Sequence, residues 1–362
     1  MSAFSLMHGT HGTHGTHGTH GTHGTHGTHG THGTHGTGGY GSLPSGSISG
    51  LQSSAEAIVH AAGVATLPAG GIATLTAGDD ANMRRWSPDI RALILQGAFT
   101  SNLGWGSGAG LSSVSLTWAG TAFATLVPPT PATLAPQCDL VRYYIDQRDD
   151  RGNEILGQMN VFTPWFAMVL GLTEGRNPKT FELLDAVLTL AGLATMLPKH
   201  LIACRRPAEL DLRVMPFIAT PAHGSFPSAH ATQAFAMARV IEALIAAHPD
   251  HFGDGAVRTD MTYRMAHRIA VNRTVAGVHY PMDSAAGARI GLQVGRILCA
   301  MMGLGTAVTA LAPYDPNAAP GDDFLYSHVA PLLAPGGGAA LAVAPFGPMG
   351  WLWAQAALEF QL

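Results

Sequence analysis

Three short islands of the sequence combine cationic, hydroxyl and imidazole side chains at close spacing. In chain order they are Lys199, six residues and Arg206-Pro207; Pro227-Ser228-Ala229-His230; and Arg273, five residues, His279, three residues and Asp283. Guanidinium groups present planar paired donors that match phosphate oxygens, and an ammonium group adds a compact charge. Such a set neutralises the oxygens of a phosphoryl group during transfer, so the islands predict a pocket for an oxyanion.

The two histidines of these islands have different neighbours. His279 and Asp283 lie four residues apart, which places both on one helical face, and Pro281 is compatible with a helix that starts there. A carboxylate bonded to one imidazole nitrogen fixes the tautomer and leaves the other nitrogen free to attack. His230 has no acidic neighbour in the sequence, and it is a candidate general acid–base near neutral pH.

Ser228 and Ala229 stand at the predicted start of a helix, where a hydroxyl and backbone N–H groups can bind an anion. Each island alone is a weak signal, because a cationic cluster is usually a solvated helix face and Pro-Ser-x-His is usually a helix cap. All three islands occur together, however, in a chain with only 12% charged residues. Their combination favours one shared site.

Helical patterns surround the islands. Apolar spacing predicts helices over residues 141–159, 180–197, 229–248, 261–273 and 283–302. Pro198 is expected to end the second helix, and Ser228 is expected to cap the third. No convincing run of alternating strands separates these helices, so the sequence predicts a mainly α fold.

The N-terminal part has a composition of its own. Residues 8–37 are ten consecutive copies of His-Gly-Thr, and a Gly/Ser-rich stretch follows to Ser54. A tract without hydrocarbon side chains cannot bury a core, so we predict a disordered tail over residues 1–54. Residues 55–362 are predicted to form one helical domain with a motif core at 137–303. Imidazoles also bind zinc, nickel or copper, which leaves a His-rich metal-binding protein open as an alternative.

Composition and charge indicate which binding partners and which cellular compartment are expected. The formal net charge is −4 and no basic stripe is present, which argues against nucleic-acid binding. Residues 1–7 lack the features of a signal peptide. The most apolar helical candidates contain charges, such as Glu182 and Asp185, whereas a membrane span needs about 20 predominantly apolar residues. The sequence therefore predicts a soluble cytoplasmic protein without a transmembrane segment, and its apolar helices are compatible with a homo-oligomer.

The three islands resemble the signature of the superfamily that joins type 2 phosphatidic-acid phosphatases, bacterial acid phosphatases and vanadium-dependent haloperoxidases. That signature is Lys-x6-Arg-Pro, Pro-Ser-Gly-His and Ser-Arg-x5-His-x3-Asp, and the likeness covers residues 199–283. Two positions depart from it: Ala229 replaces the Gly, and Asn272 replaces the Ser before Arg273. Alanine keeps the backbone N–H that binds the oxyanion, provided that its backbone stays in a region open to L-residues.

The resemblance implies a helical bundle of the acid phosphatase/vanadium haloperoxidase type, of the soluble bacterial kind, with the pocket at its core. It also implies that His279 is the nucleophile that forms a phosphohistidine, or the residue that bonds vanadium. Asp283 would orient it, and His230 would protonate the leaving group or assist peroxide activation. The oxyanion would be held by Lys199, Arg206, Ser228, the N–H of Ala229, Arg273 and His279.

The islands do not separate the two activities. His223, seven residues before His230, resembles a His of bromide-oxidising members, whereas the chain length and the larger number of hydrolases in the superfamily favour a phosphatase. We predict a phosphoric monoester hydrolase that acts on a small-molecule phosphate ester and needs no metal or cofactor. The first alternative is a vanadate-dependent haloperoxidase with halide and peroxide as substrates. The second is a His-rich metal-binding protein with an idle pocket.

Overall fold

The computed structural model describes residues 75–334 and 336–361, together with Ser54 and Ile58. The predicted disordered tail, with its His-Gly-Thr repeat, lies outside the described residues except for Ser54. The chain divides into two compact units, Met1–Ile94 and Leu95–Leu362, and all three islands lie in the second. In the first unit a 3-10 helix, Asp80–Arg85, is capped by the Asp79 carboxylate, which accepts from the N–H of Ala81 at 2.8 Å. The domain boundary predicted after residue 54 stays a prediction.

Helices make up most of the described residues, which confirms the predicted mainly α fold. The α-helices are α1 Pro88–Thr100, α2 Pro131–Tyr143, α3 Arg148–Gly157, α4 Thr163–Leu170, α5 Pro178–Ile202, α6 Pro207–Leu210, α7 Ala229–Ala247, α8 Pro249–Phe252, α9 Gly255–Val275, α10 Pro281–Met301, α11 Ala330–Leu333 and α12 Gly347–Leu358. Further 3-10 helices are Ala109–Leu111, Ile145–Gln147, Leu212–Val214 and Tyr326–His328. The strands are β1 Leu103–Ser107, β2 Val114–Trp118 and β3 Thr121–Leu126.

A small antiparallel sheet lies in a region where the sequence analysis found no strands. The three strands pair in the order β1-β2-β3, with Leu103 opposite Trp118 and Val114 opposite Leu126. The central strand alternates between buried and partly exposed positions, as a strand with one covered face does. The strands are short, and the Gly, Ser and Thr residues around them resemble loop composition, so the alternation was missed.

The predicted end of the second helix at Pro198 is wrong. α5 continues through Pro198 to Ile202 and ends at Ala203, which has the left-handed conformation (φ 49°) typical of a residue after a helix. Only one turn follows Pro198, so the kink that proline favours in a helix interior affects little of the helix. This extra turn carries Lys199 on the buried side of α5.

The other predicted helices are found with shifted ends. α7 and α10 match residues 229–248 and 283–302 closely, whereas α9 begins earlier, at Gly255, behind a cap by Asp254. The single helix predicted over residues 141–159 is instead two, α2 and α3, joined by a 3-10 turn. At that junction Arg148 donates to three backbone carbonyls, those of Val214, Met215 and Val275, at 2.8–2.9 Å.

The core of the second unit is α7, which packs against α5, α9 and α10. Its closest neighbour is α10, where Gly287, Gly291 and Gly295 recur every fourth residue on the face toward α7. A Cβ added at Gly291 would lie 2.3 Å from the Thr232 carbonyl oxygen, and one at Gly287 would lie 2.5 Å from that of Ser228. The absence of side chains at these glycines therefore lets the two helix backbones touch, which brings the start of α7 beside the start of α10.

Among the described residues, one segment is long and apolar enough to cross a membrane by length and composition. It is Pro178–Leu210, with a mean hydropathy of 1.5 over its most apolar window, and 72% of that window is buried inside the protein. Glu182 and Asp185 lie near the start of α5, and no charged residue follows before Lys199.

The contact between α7 and α10 predicts opposite effects of two Gly→Ala substitutions. We expect Gly291→Ala to lower the free energy of unfolding by about 1–3 kcal/mol, because the new methyl group meets backbone atoms that cannot move aside. Gly97→Ala in α1 is the control, since its Cβ would meet nothing within 4 Å. It should raise stability by roughly 0.5–1 kcal/mol through helix propensity. Urea unfolding measures both, and equal stabilities of the two variants would show that the close approach is not required.

Candidate active site

The ends of five helices bring the three islands together. Lys199 lies in the last turn of α5, Arg206 precedes α6, and Ser228 caps α7. Arg273 lies in the last turn of α9, and Asp283 lies in the first turn of α10. Contacts among these side chains and the segments that carry them join all three islands. The structure therefore places every predicted site residue in one region of the second unit.

His279 and Asp283 form a buried pair. Nδ1 of His279 lies 2.9 Å from Oδ2 of Asp283, which also accepts from the backbone N–H of Tyr280 at 3.0 Å. Nε2 of His279 lies 3.1 Å from Nη1 of Arg206. A guanidinium only donates, so Nε2 must accept and the proton must sit on Nδ1. The lone pair of His279 is therefore on Nε2, as an attacking nitrogen requires.

The charge environment keeps this imidazole neutral. Burial lowers the pKa of His279 well below its ordinary value, and the charges of Arg206 and Lys199 lower it further. Burial raises the pKa of the Asp283 carboxyl, and the charge of Lys199 opposes this rise. At neutral pH His279 is consequently unprotonated on Nε2.

Arg273 has buried N–H donors without a hydrogen-bond partner among the described residues. Its side chain is 1% exposed, and Nη2 donates to the Ile155 carbonyl oxygen at 3.1 Å. Its Nε and Nη1 are buried and have no hydrogen-bond partner among the described residues. Burial lowers the pKa of Arg273 to about 10, which leaves it charged at neutral pH. Unpaired N–H groups on a buried cation fit an acceptor-only ligand, and a phosphate oxygen is one.

Lys199 and Arg206 are equally buried but differently engaged. The Lys199 ammonium donates to the carbonyl oxygens of Gly224 (3.0 Å) and Ser225 (2.8 Å), which leaves one of its three donors. Arg206 contacts the carbonyl oxygens of His223, Gly224 and Val278, in addition to the rings of His223 and His279. All N–H donors of the Arg206 guanidinium are thus bonded within the protein. Arg206 must therefore give up one of these contacts to bind an oxyanion.

His223 lies at the edge of this group. Its Nδ1 is 3.2 Å from Nη2 of Arg206, while the residue as a whole is exposed. Burial of its ring and the charge of Lys199 lower the pKa of His223. The structure thus brings His223 into contact with a predicted oxyanion ligand, which is compatible with a tuning role and does not identify one.

Ser228 and Ala229 occupy the positions expected at a helix start. Ser228 is fully buried, and its Oγ accepts from the N–H of Ala231 at 3.3 Å. Ala229 is the first residue of α7, so its backbone is helical and its N–H has no acceptor within the helix. The backbone of Ala229 therefore lies in a region open to L-residues, so alanine can replace the glycine of the superfamily signature and keep its N–H available.

His230 is held in a neutral state. Its Nε2 lies 3.0 Å from the Gln158 carbonyl oxygen, so Nε2 carries the proton, and its ring packs 5.7 Å from the Phe162 ring between centroids. Burial and the charge of Arg273 lower the pKa of His230 to about 3. A general acid here would need a second proton, on Nδ1, and a bound anion favours that protonation.

Gln158 is a residue that the sequence analysis missed. It is fully buried, and its side-chain oxygen lies 2.9 Å from Nδ2 of Asn272 and 3.4 Å from Nη2 of Arg273. Asn272, which departs from the family signature, is buried, and its amide is bonded to Gln158 and Glu154. Among the described residues, no group of three or more His, Cys, Asp or Glu side chains could hold a metal ion.

Residues 182–306 match the PAP2 superfamily, and this range holds all three islands. The resemblance inferred from the islands is thereby confirmed at the level of the superfamily.

Curated relatives match part of the chain. Decaprenylphosphoryl-5-phosphoribose phosphatase from two strains of Mycobacterium tuberculosis is 31% identical over 109 residues, which is 30% of this chain and 54% of the relative. The chain therefore spans about half the length of these relatives. A solved structure, the first transmembrane PAP2 type phosphatidylglycerolphosphate phosphatase from Bacillus subtilis, is 17% identical with a TM-score of 0.38. That match covers 57% of this chain and 90% of that one.

These findings overturn the predicted cytoplasmic localisation. The curated relatives are named for a substrate with a decaprenyl chain, and the solved neighbour is named a transmembrane protein. The prediction rested on charges in the helical candidates, yet residues 178–210 are long and apolar enough to span a membrane by length and composition.

The free donors of Arg273 predict stabilisation by inorganic phosphate. At a phosphate concentration 100 times the Kd, the free energy of unfolding of the full chain should rise by about 2.7 kcal/mol. Arg273→Met should strongly reduce this rise, because the variant lacks the unpaired donors of Arg273. Arg296→Met is the matched control, since Arg296 is a buried arginine of α10 bonded to Gln293 and to the carbonyl oxygens of residues 332–334. Melting curves with and without phosphate measure the effect, and an undiminished rise in Arg273→Met would contradict the assignment.

Proposed function

We propose that this pocket hydrolyses a phosphoric monoester through a phosphohistidine on His279. The observation that carries the proposal is the state of that histidine. Its proton is held on Nδ1 by Asp283, and its Nε2 lone pair faces a group of buried cations. A neutral nucleophile in contact with a buried cation is the arrangement that phosphoryl transfer to nitrogen needs.

Binding of the phosphoryl group uses the donors that the protein leaves open. Nε and Nη1 of Arg273, the third donor of Lys199 and the N–H of Ala229 would hold its oxygens. Arg206 would join them by releasing Nε2 of His279. That exchange frees the nucleophile at the moment the substrate arrives, since the same N–H group cannot serve both acceptors.

The first chemical step forms the N–P bond and breaks the P–O ester bond. Nε2 of His279 attacks phosphorus in line with the leaving oxygen, while Asp283 stabilises the positive charge that develops on the ring. The leaving oxygen takes a proton from Nδ1 of His230, which the negative charge of the bound substrate has helped to protonate. The product alcohol departs and a phosphohistidine remains.

The second step reverses these roles with water. His230, now neutral, accepts a proton from water, and the resulting hydroxide attacks phosphorus. The N–P bond breaks, the electron pair returns to Nε2 of His279, and inorganic phosphate leaves. No metal or cofactor is needed to balance either step.

The named relatives and the solved neighbour are all phosphatases, and this supports phosphate-ester hydrolysis. Their individual substrates are not transferred to this chain. A vanadate-dependent haloperoxidase is the competing assignment, because vanadate is a tetrahedral oxyanion that the same donors would hold with vanadium bonded to His279. The contact between His223 and Arg206 supports the haloperoxidase alternative, so the experiment below tests for that activity as well.

A paired assay on the purified chain in mild detergent distinguishes the two activities. We expect hydrolysis of p-nitrophenyl phosphate that vanadate inhibits, and no bromide oxidation by peroxide after vanadate loading. His279→Ala should lower the hydrolysis rate on the order of 10⁴-fold or more, as loss of a nucleophile does. His200→Ala, an exposed histidine next to Lys199, should leave it unchanged. Vanadate-dependent bromide oxidation with negligible hydrolysis would replace the proposal by the haloperoxidase.

The buried histidines also predict an acid-favoured pH profile. The pKa of His230 is lowered to about 3, so above that pH its protonated fraction grows tenfold for each unit that the pH falls. The pKa of His279 is lowered too, so acid does not protonate the nucleophile in the same range. For a dianionic substrate, kcat/KM should therefore rise from pH 8 towards pH 6, with a slope near one on logarithmic axes. His230→Asn should remove the slope. A wild-type kcat/KM that falls below pH 6.5 would mean that the His279–Asp283 pair takes up a proton in this range, since burial raises the pKa of Asp283 to about 7.

A further inference from the structure

We infer that Gln158 is an additional ligand of the anion pocket, whose side-chain N–H groups donate to an oxygen of the bound phosphoryl group. Neither the superfamily signature nor the three islands include this residue. The inference deepens the proposed function and rests on it, since it names a residue of the same pocket.

Gln158 is fixed where α3 ends. Its backbone N–H donates to the Glu154 carbonyl oxygen at 2.9 Å, and α3 packs against α9, the helix that carries Arg273. The side chain is fully buried. A buried amide held at a helix end has a defined position and little freedom to seek other partners.

The orientation of the amide follows from a chain of fixed donors and acceptors. Glu154 can only accept, so Nδ2 of Asn272 faces it at 3.0 Å, and Arg151 can only donate, so Oδ1 of Asn272 faces it at 3.2 Å. Asn272 therefore donates through Nδ2 to Gln158, whose oxygen must face it at 2.9 Å. Arg273 Nη2, another donor, lies on the same oxygen at 3.4 Å. A flipped Gln158 amide would set N–H groups against N–H groups.

This leaves Nε2 of Gln158 with two donors and no partner among the described residues, in a fully buried position. Leaving a buried amide unpaired costs about 1–3 kcal/mol, so native proteins rarely do so without a ligand. The neighbouring Arg273 also has unpaired donors on Nε and Nη1. Orphan donors on two adjacent side chains, with no orphan acceptor on either, fit a ligand that only accepts hydrogen bonds.

Gln158 also contacts His230, the proposed proton donor. The backbone carbonyl oxygen of Gln158 accepts from Nε2 of His230 at 3.0 Å. Gln158 thus contacts both Arg273 and His230, and its amide lies between the residues that bind the oxygens and the residue that protonates the leaving group. Asn272, which replaces the Ser of the family signature, has a structural role here, because its amide orients Gln158.

Two substitutions separate a donor role from a merely structural one. Gln158→Met removes the amide, and Gln158→Glu keeps an oxygen for Asn272 and Arg273 but removes the donor. Both keep the backbone carbonyl that holds His230. We expect each to weaken orthophosphate binding about 10- to 100-fold, as loss of a hydrogen bond to a charged group does, and to lower kcat/KM for p-nitrophenyl phosphate by a similar factor.

The matched control is Gln293→Met, which removes a fully buried glutamine whose amide nitrogen and oxygen are both bonded to the protein, away from the pocket. It should lower stability and leave the Kd for phosphate unchanged. Binding is measured by calorimetry and by the phosphate-induced shift in Tm, so it does not depend on turnover. Wild-type affinity in either Gln158 variant overturns the inference and leaves the proposed hydrolysis standing. Phosphate binding that depends on Gln158 without any hydrolysis overturns the proposed function alone, and a wild type that binds no phosphate overturns both.

Discussion

The constraint on which the site depends is the burial of three cationic side chains. Lys199, Arg206 and Arg273 are each 1% exposed, and the buried carboxylate of Asp283 lies within the field of Lys199 and Arg206. Their remaining protein partners are mostly backbone carbonyl oxygens, which solvate a cation without neutralising it. A buried excess of positive charge is costly unless an anion completes it, so the apo pocket is prepared for an oxyanion.

The packing of α7 against α10 sets the relative positions of the site residues. The glycines of α10 allow α7 to approach until the N–H of Ser228 donates to the Asp283 carbonyl oxygen at 2.9 Å. One backbone contact therefore fixes the helix start that binds oxygens relative to the residue that orients His279. A looser contact between α7 and α10 would leave both helices intact and misplace the ligands, because the catalytic groups lie at helix ends and shift with them.

The sequence predicted which residues the structure brings together and the helices that carry them, because the three islands are local patterns and α7 and α10 have clear starts. It did not predict Gln158, whose contact with Arg273 spans 115 residues and has no local spacing to reveal it. The sheet was missed because its strands are short, and the end of α5 was misplaced because packing outweighed the usual effect of Pro198.

In the proposed mechanism, the charges that attract the phosphate ester also weaken the nucleophile until the substrate is bound. Arg206 and Lys199 lower the pKa of His279, and a less basic imidazole is a poorer nucleophile. A phosphate dianion cancels much of this positive field, so the basicity of Nε2 recovers only in the complex. Release of Nε2 by Arg206 acts in the same direction, because the N–H group that covered the lone pair now serves a phosphate oxygen. The cationic pocket thus couples binding to activation, with Asp283 holding the Nδ1 proton throughout.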